Sequence, residues 1–130
     1  MTDPITDMFN RIKNAQAVNH PTVRIPHSKF KFEVAKVLEK QGYVSKARKQ
    51  GRKTRKYIEL NLKYHEDKTP VISEIKRMSK PGRRMYVKGN EIKPVKNGFG
   101  MSIISTSQGV MPGDQAKKKN IGGELICKIW

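Results

Sequence analysis

The stretch Asn97-Gly98-Phe99-Gly100-Met101-Ser102-Ile103-Ile104-Ser105-Thr106-Ser107-Gln108-Gly109-Val110-Met111-Pro112-Gly113 decides how the second half of the chain folds. Its 17 residues carry no formal charge, inside a 130-residue protein whose net charge is +17. Met101 to Ile104 is a short apolar run bounded by a glycine-rich turn, which predicts a buried strand. It runs straight into Ser105-Thr106-Ser107-Gln108-Gly109, a hydroxyl-rich corner whose side chains are suited to bonding their own backbone. The preceding Gly98-Phe99-Gly100 predicts a turn and not a nucleotide loop. A dinucleotide fingerprint needs its third glycine at 103, where Ile103 stands, and no GK[ST] follows.

Around this stretch lie other short β segments. Val71 to Ile75 predicts a strand, Ser79-Lys80-Pro81-Gly82 a turn, and Met85-Tyr86-Val87 a second strand. Glu91 to Asn97 reads as irregular or a single helical turn, Gln115 to Lys119 as a short helix, and Leu125 to Ile129 as a closing strand. The first half differs. Asp3 and Pro4 form a helix start, as N-cap and first helical residue. Ile5, Met8, Phe9, Ile12 and Ala15 then recur at helical spacing until Pro21. Thr22 to Ile25 alternates as a strand. Ser28 opens a second helix with Phe30, Val34, Val37 and Leu38 as its expected buried face and Gly42 as its stop. A long basic hairpin follows, with Tyr43-Val44 in one arm, Gly51 at the tip and Tyr57 to Leu62 returning. Ile58, Leu60 and Leu62 are expected to face the core, and Glu59, Asn61 and Lys63 to face outward.

The expected fold class is therefore α+β. An N-terminal αβαββ lobe (1–64) carrying the basic hairpin, a linker (65–70) and a mainly β C-terminal lobe (71–130) with a short helix follow in order, the first lobe packed on the second. A chain of this length buries roughly two thirds of its unfolded surface.

Charge narrows the class of partner. Lys and Arg number 28 against 11 Asp and Glu. The first 64 residues hold 15 of the bases and 5 of the acids, so neither half is an acidic counterweight. Lys46 to Lys56 packs seven bases into eleven residues with no acid. Such a protein is attracted to polyanions. No run approaches a membrane span, and Met1-Thr2-Asp3-Pro4 has neither the basic lead nor the apolar core of a secretory signal. The single cysteine, Cys127, precludes an internal disulfide or multi-cysteine zinc site. Set in Leu125-Ile126-Cys127, it is expected to be a buried, inert thiol in a reducing compartment. His20, His27 and His65 match no metal-ligand spacing, no serine lies in a nucleophile elbow, and the carboxylates form no obvious catalytic pair. No enzyme activity, cofactor or metal is expected.

Two accounts fit the basic hairpin: an arm following a phosphate backbone, or a solvated edge protected from pairing by its cations. Seven cations without a counter-acid make plain solvation costly in self-repulsion, which favours the first. Phosphate contact attracts without specifying sequence. The neutral window also has two accounts, a self-bonded corner or a reader of base edges and ribose 2′-OH groups. Composition does not choose between them.

The run Ile104-Ser105-Thr106-Ser107-Gln108-Gly109-Val110-Met111 resembles the hallmark loop of the bacterial small-subunit ribosomal protein S-eight family. Other segments agree in order: Asp3-Pro4-Ile5 with Asp7-Met8 and Arg11-Ile12-Lys13-Asn14-Ala15, Ser79 to Val87, Asn97 to Gly100, and Gly122-Gly123-Glu124-Leu125. The resemblance spans the whole chain, with the basic hairpin its least family-like part. Pro112-Gly113-Asp114-Gln115-Ala116-Lys117 stands where many members carry an acidic and basic run such as DKEAR.

The resemblance implies a cytoplasmic, ribosomal protein that binds the central domain of 16S ribosomal RNA directly as a primary assembly protein of the 30S subunit. It also implies contact with neighbouring small-subunit proteins and, in some bacteria, repression of translation through the messenger RNA of its own operon. The free protein is expected to be a monomer with no membrane contact. By similarity, Ser105, Thr106, Ser107, Gln108 and Gly109 form the RNA-reading loop, with Tyr86, Gly123 and Glu124 beside it. Glu124 either accepts from base amino groups, orients the serines, or tethers a neighbouring Lys or Arg. Arg11, Lys13, Asn14, Lys31, Lys53 and Lys56 are the expected phosphate contacts. A DNA-binding winged helix is the runner-up, since residues 28–64 give a helix followed by a basic hairpin. It requires a second helix ahead of the wing.

Overall fold

A computed structural model describes residues 3–130. Met1 and Thr2, part of the N-terminal stretch read as lacking a secretory signal, lie outside the described residues. The chain divides into two compact units, one up to Ile72 and one from Ser73 to Trp130. Helices and antiparallel sheets make it α+β. Among the described residues, no helix is long and apolar enough to cross a membrane.

In the first unit, helix α1 (Pro4–Ala17) begins where the sequence places it. Asp3 Oδ1 accepts from the Ile5 amide at 3.1 Å, and Oδ2 accepts from Thr6 Oγ1 at 2.6 Å. The expected stripe Ile5, Met8, Phe9, Ile12 and Ala15 is buried, joined by Gln16. Strand β1 (Thr22–Pro26) follows, then α2 (Lys29–Lys40), capped by Ser28 Oγ accepting from the Lys31 amide. Gly42, at φ +81°, takes the left-handed conformation that ends α2. The buried face of α2 departs from expectation. It comprises Lys31, Val34, Ala35, Val37 and Leu38, while Phe30 is only half-buried. Val34, Val37 and Leu38 are buried as expected, but the face extends toward Lys31 and Ala35 and away from Phe30, and the alkyl stem of Lys31 takes a place that its polarity disguises.

Strands β2 (Val44–Gln50) and β3 (Tyr57–Leu62) form the basic hairpin, and the sheet order is β1-β3-β2, all antiparallel. Ile58, Leu60 and Leu62 are buried, as the alternation requires. Glu39 ties α2 to β2. Its carboxylate accepts from the Ala47 amide at 3.0 Å and from Lys36 Nζ at 3.1 Å, while Lys36 Nζ also donates to the Ala47 carbonyl. The segment after β3 is a closed turn, with Tyr64 bridged to Pro70 and the His65 amide donating to the Thr69 carbonyl at 2.8 Å.

The second unit is a five-stranded antiparallel sheet. Strands β4 (Ile75–Arg77), β8 (Gly123–Ile129), β6 (Met101–Thr106) and β7 (Gly109–Pro112) lie in that order, and β5 (Tyr86–Val87) also pairs with β8. Helix α3 (Gly113–Lys118) and two 3₁₀ turns, Gly89–Glu91 and Lys96–Gly98, fill the connections. Ile92, Ile104, Met111, Ala116 and Leu125 form the core on one face. Two differences from expectation stand out. The strand expected at Val71–Ile75 begins only at Ile75: Glu74 exchanges both backbone bonds with Trp130, the last residue opposite it, and the Ser73 amide can only share that same Trp130 carbonyl, so the pairing with β8 extends no further back. The neutral window contributes two strands, since β6 continues to Thr106 and β7 returns beside it.

Candidate nucleic-acid interface

The Ser-Thr-Ser segment is the tip of a hairpin. Thr106 pairs with Gly109, so only Ser107 and Gln108 make the turn. Thr106 Oγ1 accepts from the Gln108 amide at 3.1 Å and donates to the Gly109 carbonyl at 2.7 Å, which closes the turn from within. Gly109 sits at φ +109°, a conformation that side chains rarely adopt. Thr106 therefore follows the self-bonded account of the corner, whereas Ser107 and Gln108 are exposed at its apex.

Strand pairing brings three of the expected residues into one row. On β8, Glu124 lies opposite Tyr86 of β5 on one side and opposite Ser105 of β6 on the other. Directly paired residues share a face. Ser105 is also paired with Val110 of β7. The neighbouring row, Ile104 with Leu125 and Met111, faces the core, so pleating turns Tyr86, Glu124 and Ser105 the other way. Tyr86 is 72% exposed. Gly123 lets β8 approach β6 at this point, because a Cβ there would lie 2.2 Å from the Ser105 carbonyl oxygen.

Glu124 does not bond the loop serines. Its Oε2 accepts from Ser79 Oγ and from Arg84 Nη1, the latter at 3.0 Å. Ser79, fully buried, in turn accepts from the Met85 amide. This is the tethering role, with the carboxylate fixed between β5 and β6 and its charge offset by Arg84. Ser79 and Arg84 were not among the expected site residues. The run Ser79 to Val87 was visible, but nothing local in it shows that its serine and arginine meet an acid 40 or more positions away.

The remaining expected residues belong to the first unit. Arg11 is paired to Asp7 at 2.9 Å along the exposed side of α1, and Asn14 is exposed on the same helix. Lys13 is half-buried. Lys31 is 6% exposed. Burial, reinforced by Arg11 and opposed by Asp7, holds its ammonium below the usual lysine range. Lys53 and Lys56 are exposed near the hairpin tip, Lys53 with a left-handed backbone at φ +43°. The field of this region is strongly positive. His27 is held below its ordinary pKa first by burial and then by Lys49, Lys56 and Lys31. Cys127 is 0% exposed, and burial pushes its thiol up to about 12. Its expected inertness as a thiolate nucleophile follows.

The family model for Ribosomal protein S8 matches residues 3–130. The chain belongs to the ribosomal protein S8 family. It is 50% identical over its whole length to the small ribosomal subunit protein uS8 of Dictyoglomus turgidum, covering 98% of that protein. The proteins of the same name from Syntrophus aciditrophicus and Clostridium beijerinckii are 47% and 43% identical, again over all of this chain and 98% of each relative. The S8 family is one of structural ribosomal proteins and not of enzymes, which agrees with the lack of a nucleophile or acid–base constellation in the sequence.

Proposed function

We propose that this chain is a structural constituent of the small (30S) ribosomal subunit that binds the central domain of 16S ribosomal RNA directly and helps assemble the platform as a primary binder. One observation carries the reading: an outward row of phenol, charge-offset carboxylate and hydroxyl, Tyr86–Glu124–Ser105, ends at a hydroxyl-tipped turn in a chain of net charge +17. Family membership and the naming of the relatives as small-subunit proteins support it.

The chemistry divides between two kinds of residue. Ser105 and Ser107 offer short hydroxyls that both donate and accept, suited to base edges and to the 2′-OH that marks RNA. Tyr86 offers a ring for stacking, and Gln108 an amide at the apex. Thr106, Gly109 and Gly123 hold the shape, and Glu124 anchors the row. Arg11, Lys13, Asn14, Lys53 and Lys56 supply phosphate contacts, which position the RNA and give most of the affinity without reading sequence. Lys31, whose side chain is buried, contributes through its charge. Neighbouring small-subunit proteins complete the site in the assembled particle. The same surface is proposed to bind a similar fold on the messenger RNA of its own operon and so repress translation. Self-repulsion at +17 keeps the free protein monomeric.

Footprinting the protein alone on isolated small-subunit RNA tests this. Protection confined to one irregular helix of the central domain is expected, abolished by competing RNA of the same helix. Preference for a matched DNA duplex would overturn it. The winged-helix alternative is disfavoured by topology, since among the described residues α2 alone lies between β1 and the hairpin, where a winged helix packs a second, recognition helix directly ahead of the wing.

A further inference from the structure

Behind the outward row of the second unit lies a cavity. Val87, Leu125 and Ile104 are the chain neighbours of Tyr86, Glu124 and Ser105, and pleating turns them to the core side of the sheet. With Ile92, which follows the 3₁₀ turn Gly89–Glu91, they wall a space of about 170 Å³. Ile92, Ile104 and Leu125 are buried and Val87 is half-buried. An apolar cavity of about 150 Å³ is enough to admit benzene, so this one has room for a single ring or a branched alkyl group. Four polar side chains complete the lining: Ser102, Glu91, Lys93 and Lys128.

These polar groups are not spent on one another. Ser102 is 6% exposed, and its hydroxyl has no hydrogen-bond partner among the described residues. It stands on the same face of β6 as Ile104, directly opposite Lys128 of β8. Leaving a buried hydroxyl unbonded is costly, and a polar guest in the cavity supplies the missing bond. Lys93 is exposed and Lys128 half-buried. Among the described residues, neither lysine forms an ion pair, and nor does Glu91. Two ammonium groups against one carboxylate leave the lining net positive, which favours an anionic guest and repels a cationic one. Apolar walls, an unbonded hydroxyl and a cationic rim together fit a molecule with a compact hydrocarbon body and one carboxylate. A water alone would serve Ser102 but would give the apolar walls and the lysines no use.

We propose that this cavity is a binding site for a small monocarboxylate with a ring or branched alkyl body. The site stands apart from the RNA-binding reading and is tested on the protein alone. The full chain, labelled at its Ile, Leu and Val methyl groups, is titrated with phenylacetate and followed by NMR. Saturable shifts at Val87, Ile92, Ile104 and Leu125 are expected, with a Kd of about 1 mM for a ligand of about ten non-hydrogen atoms. Toluene keeps the ring and loses the carboxylate, phenethylammonium reverses the charge, and each should bind about tenfold more weakly. Ser102→Ala should weaken phenylacetate about tenfold and leave toluene unchanged. Lys93→Gln, at an exposed position that folding does not depend on, should weaken phenylacetate about threefold and narrow its lead over phenethylammonium. Saturable shifts with that order of affinities support the site. Toluene binding as tightly as phenylacetate, shifts confined to methyls away from the cavity, or no saturation by about 20 mM would each overturn it and leave the RNA reading untouched.

Discussion

Gly123→Ala places a methyl group where β8 crosses Ser105, and the structure gives the size of the collision. The new Cβ would lie 2.2 Å from the Ser105 carbonyl oxygen, 2.9 Å from its carbonyl carbon and 3.1 Å from Ile104 Cγ2. Carbon and oxygen do not settle closer than about 3.0 Å, so the two strands must part by about 0.8 Å. The obstacle is backbone in a hydrogen-bonded ladder, which no rotamer change relieves. Overpacking of this kind costs about 1–3 kcal/mol. Loosening the adjoining Ser105–Glu124 pair adds about 1 kcal/mol for a weakened ladder bond. The sum is about 2–4 kcal/mol, or roughly 8–16 °C in Tm for a chain of this size. The assay is urea or thermal unfolding followed by circular dichroism, with Gly82→Ala alongside. Gly82 has nothing within 4 Å of its missing Cβ and no positive φ, so that variant should stay within about 0.5 kcal/mol of wild type. If Gly123→Ala unfolds with its control, the close approach of β8 to β6 is not what the glycine is there for.

Four further outcomes are expected. Ser107→Ala should weaken binding to the central-domain RNA by about 1–3 kcal/mol and leave Tm unchanged, since Ser107 is exposed at the turn apex; a shift in Tm equal to the binding loss would refute a direct contact. Lys53→Ala should weaken binding to all RNAs alike and lower the salt slope by about 0.7–0.9, read by filter binding at several salt concentrations; an effect confined to one RNA would show that Lys53 reads sequence. Glu39 is held below the ordinary glutamate pKa, chiefly by the Ala47 amide, so its stabilisation is present above that ordinary value and lost as pH falls through the lower folded one. Glu39→Gln should accordingly flatten acid unfolding below about pH 4.5, and an unchanged acid limb would refute it. Native Cys127, with its thiol raised to about 12, should resist a thiol reagent at pH 8 and react once guanidinium unfolds the chain; rapid native labelling would contradict its burial.

The parts of the fold that were legible are those whose signals are local. α1 combines a cap, a first-turn proline and an apolar stripe within one short stretch, and β3 alternates on its own. α2 was legible in extent but only partly in facing, because Lys31 buries an aliphatic stem that polarity hides and Phe30 lies off the buried side. β4 was misplaced because its first residue is set by where β8 ends, through the Trp130 carbonyl. β7 went unread because Gly109 to Pro112 is too short to alternate on its own and is a strand only by pairing with β6, at a sheet edge that tolerates proline at its end. Of the candidate interface, the hydroxyl turn was readable from composition. The clamp on Glu124 was not, since Ser79 and Arg84 come from 45 and 40 residues away, and pairing at that distance leaves no local trace.

Strand β8 occupies an unusual place in the order of events. One of its edges is shared by β4 and β5 and the other is taken by β6, yet it is the last of these strands in the chain. During synthesis, β4, β5 and β6 emerge without their common partner, and only the β6–β7 hairpin has its own pairing. Tyr86 and Ser105 therefore have nothing to align them until Glu124 arrives between them. A nascent chain stopped before Gly123 would expose the hydroxyl turn but not the row, so the row proposed to meet RNA is completed in one step, when β8 emerges, and not gradually along the chain.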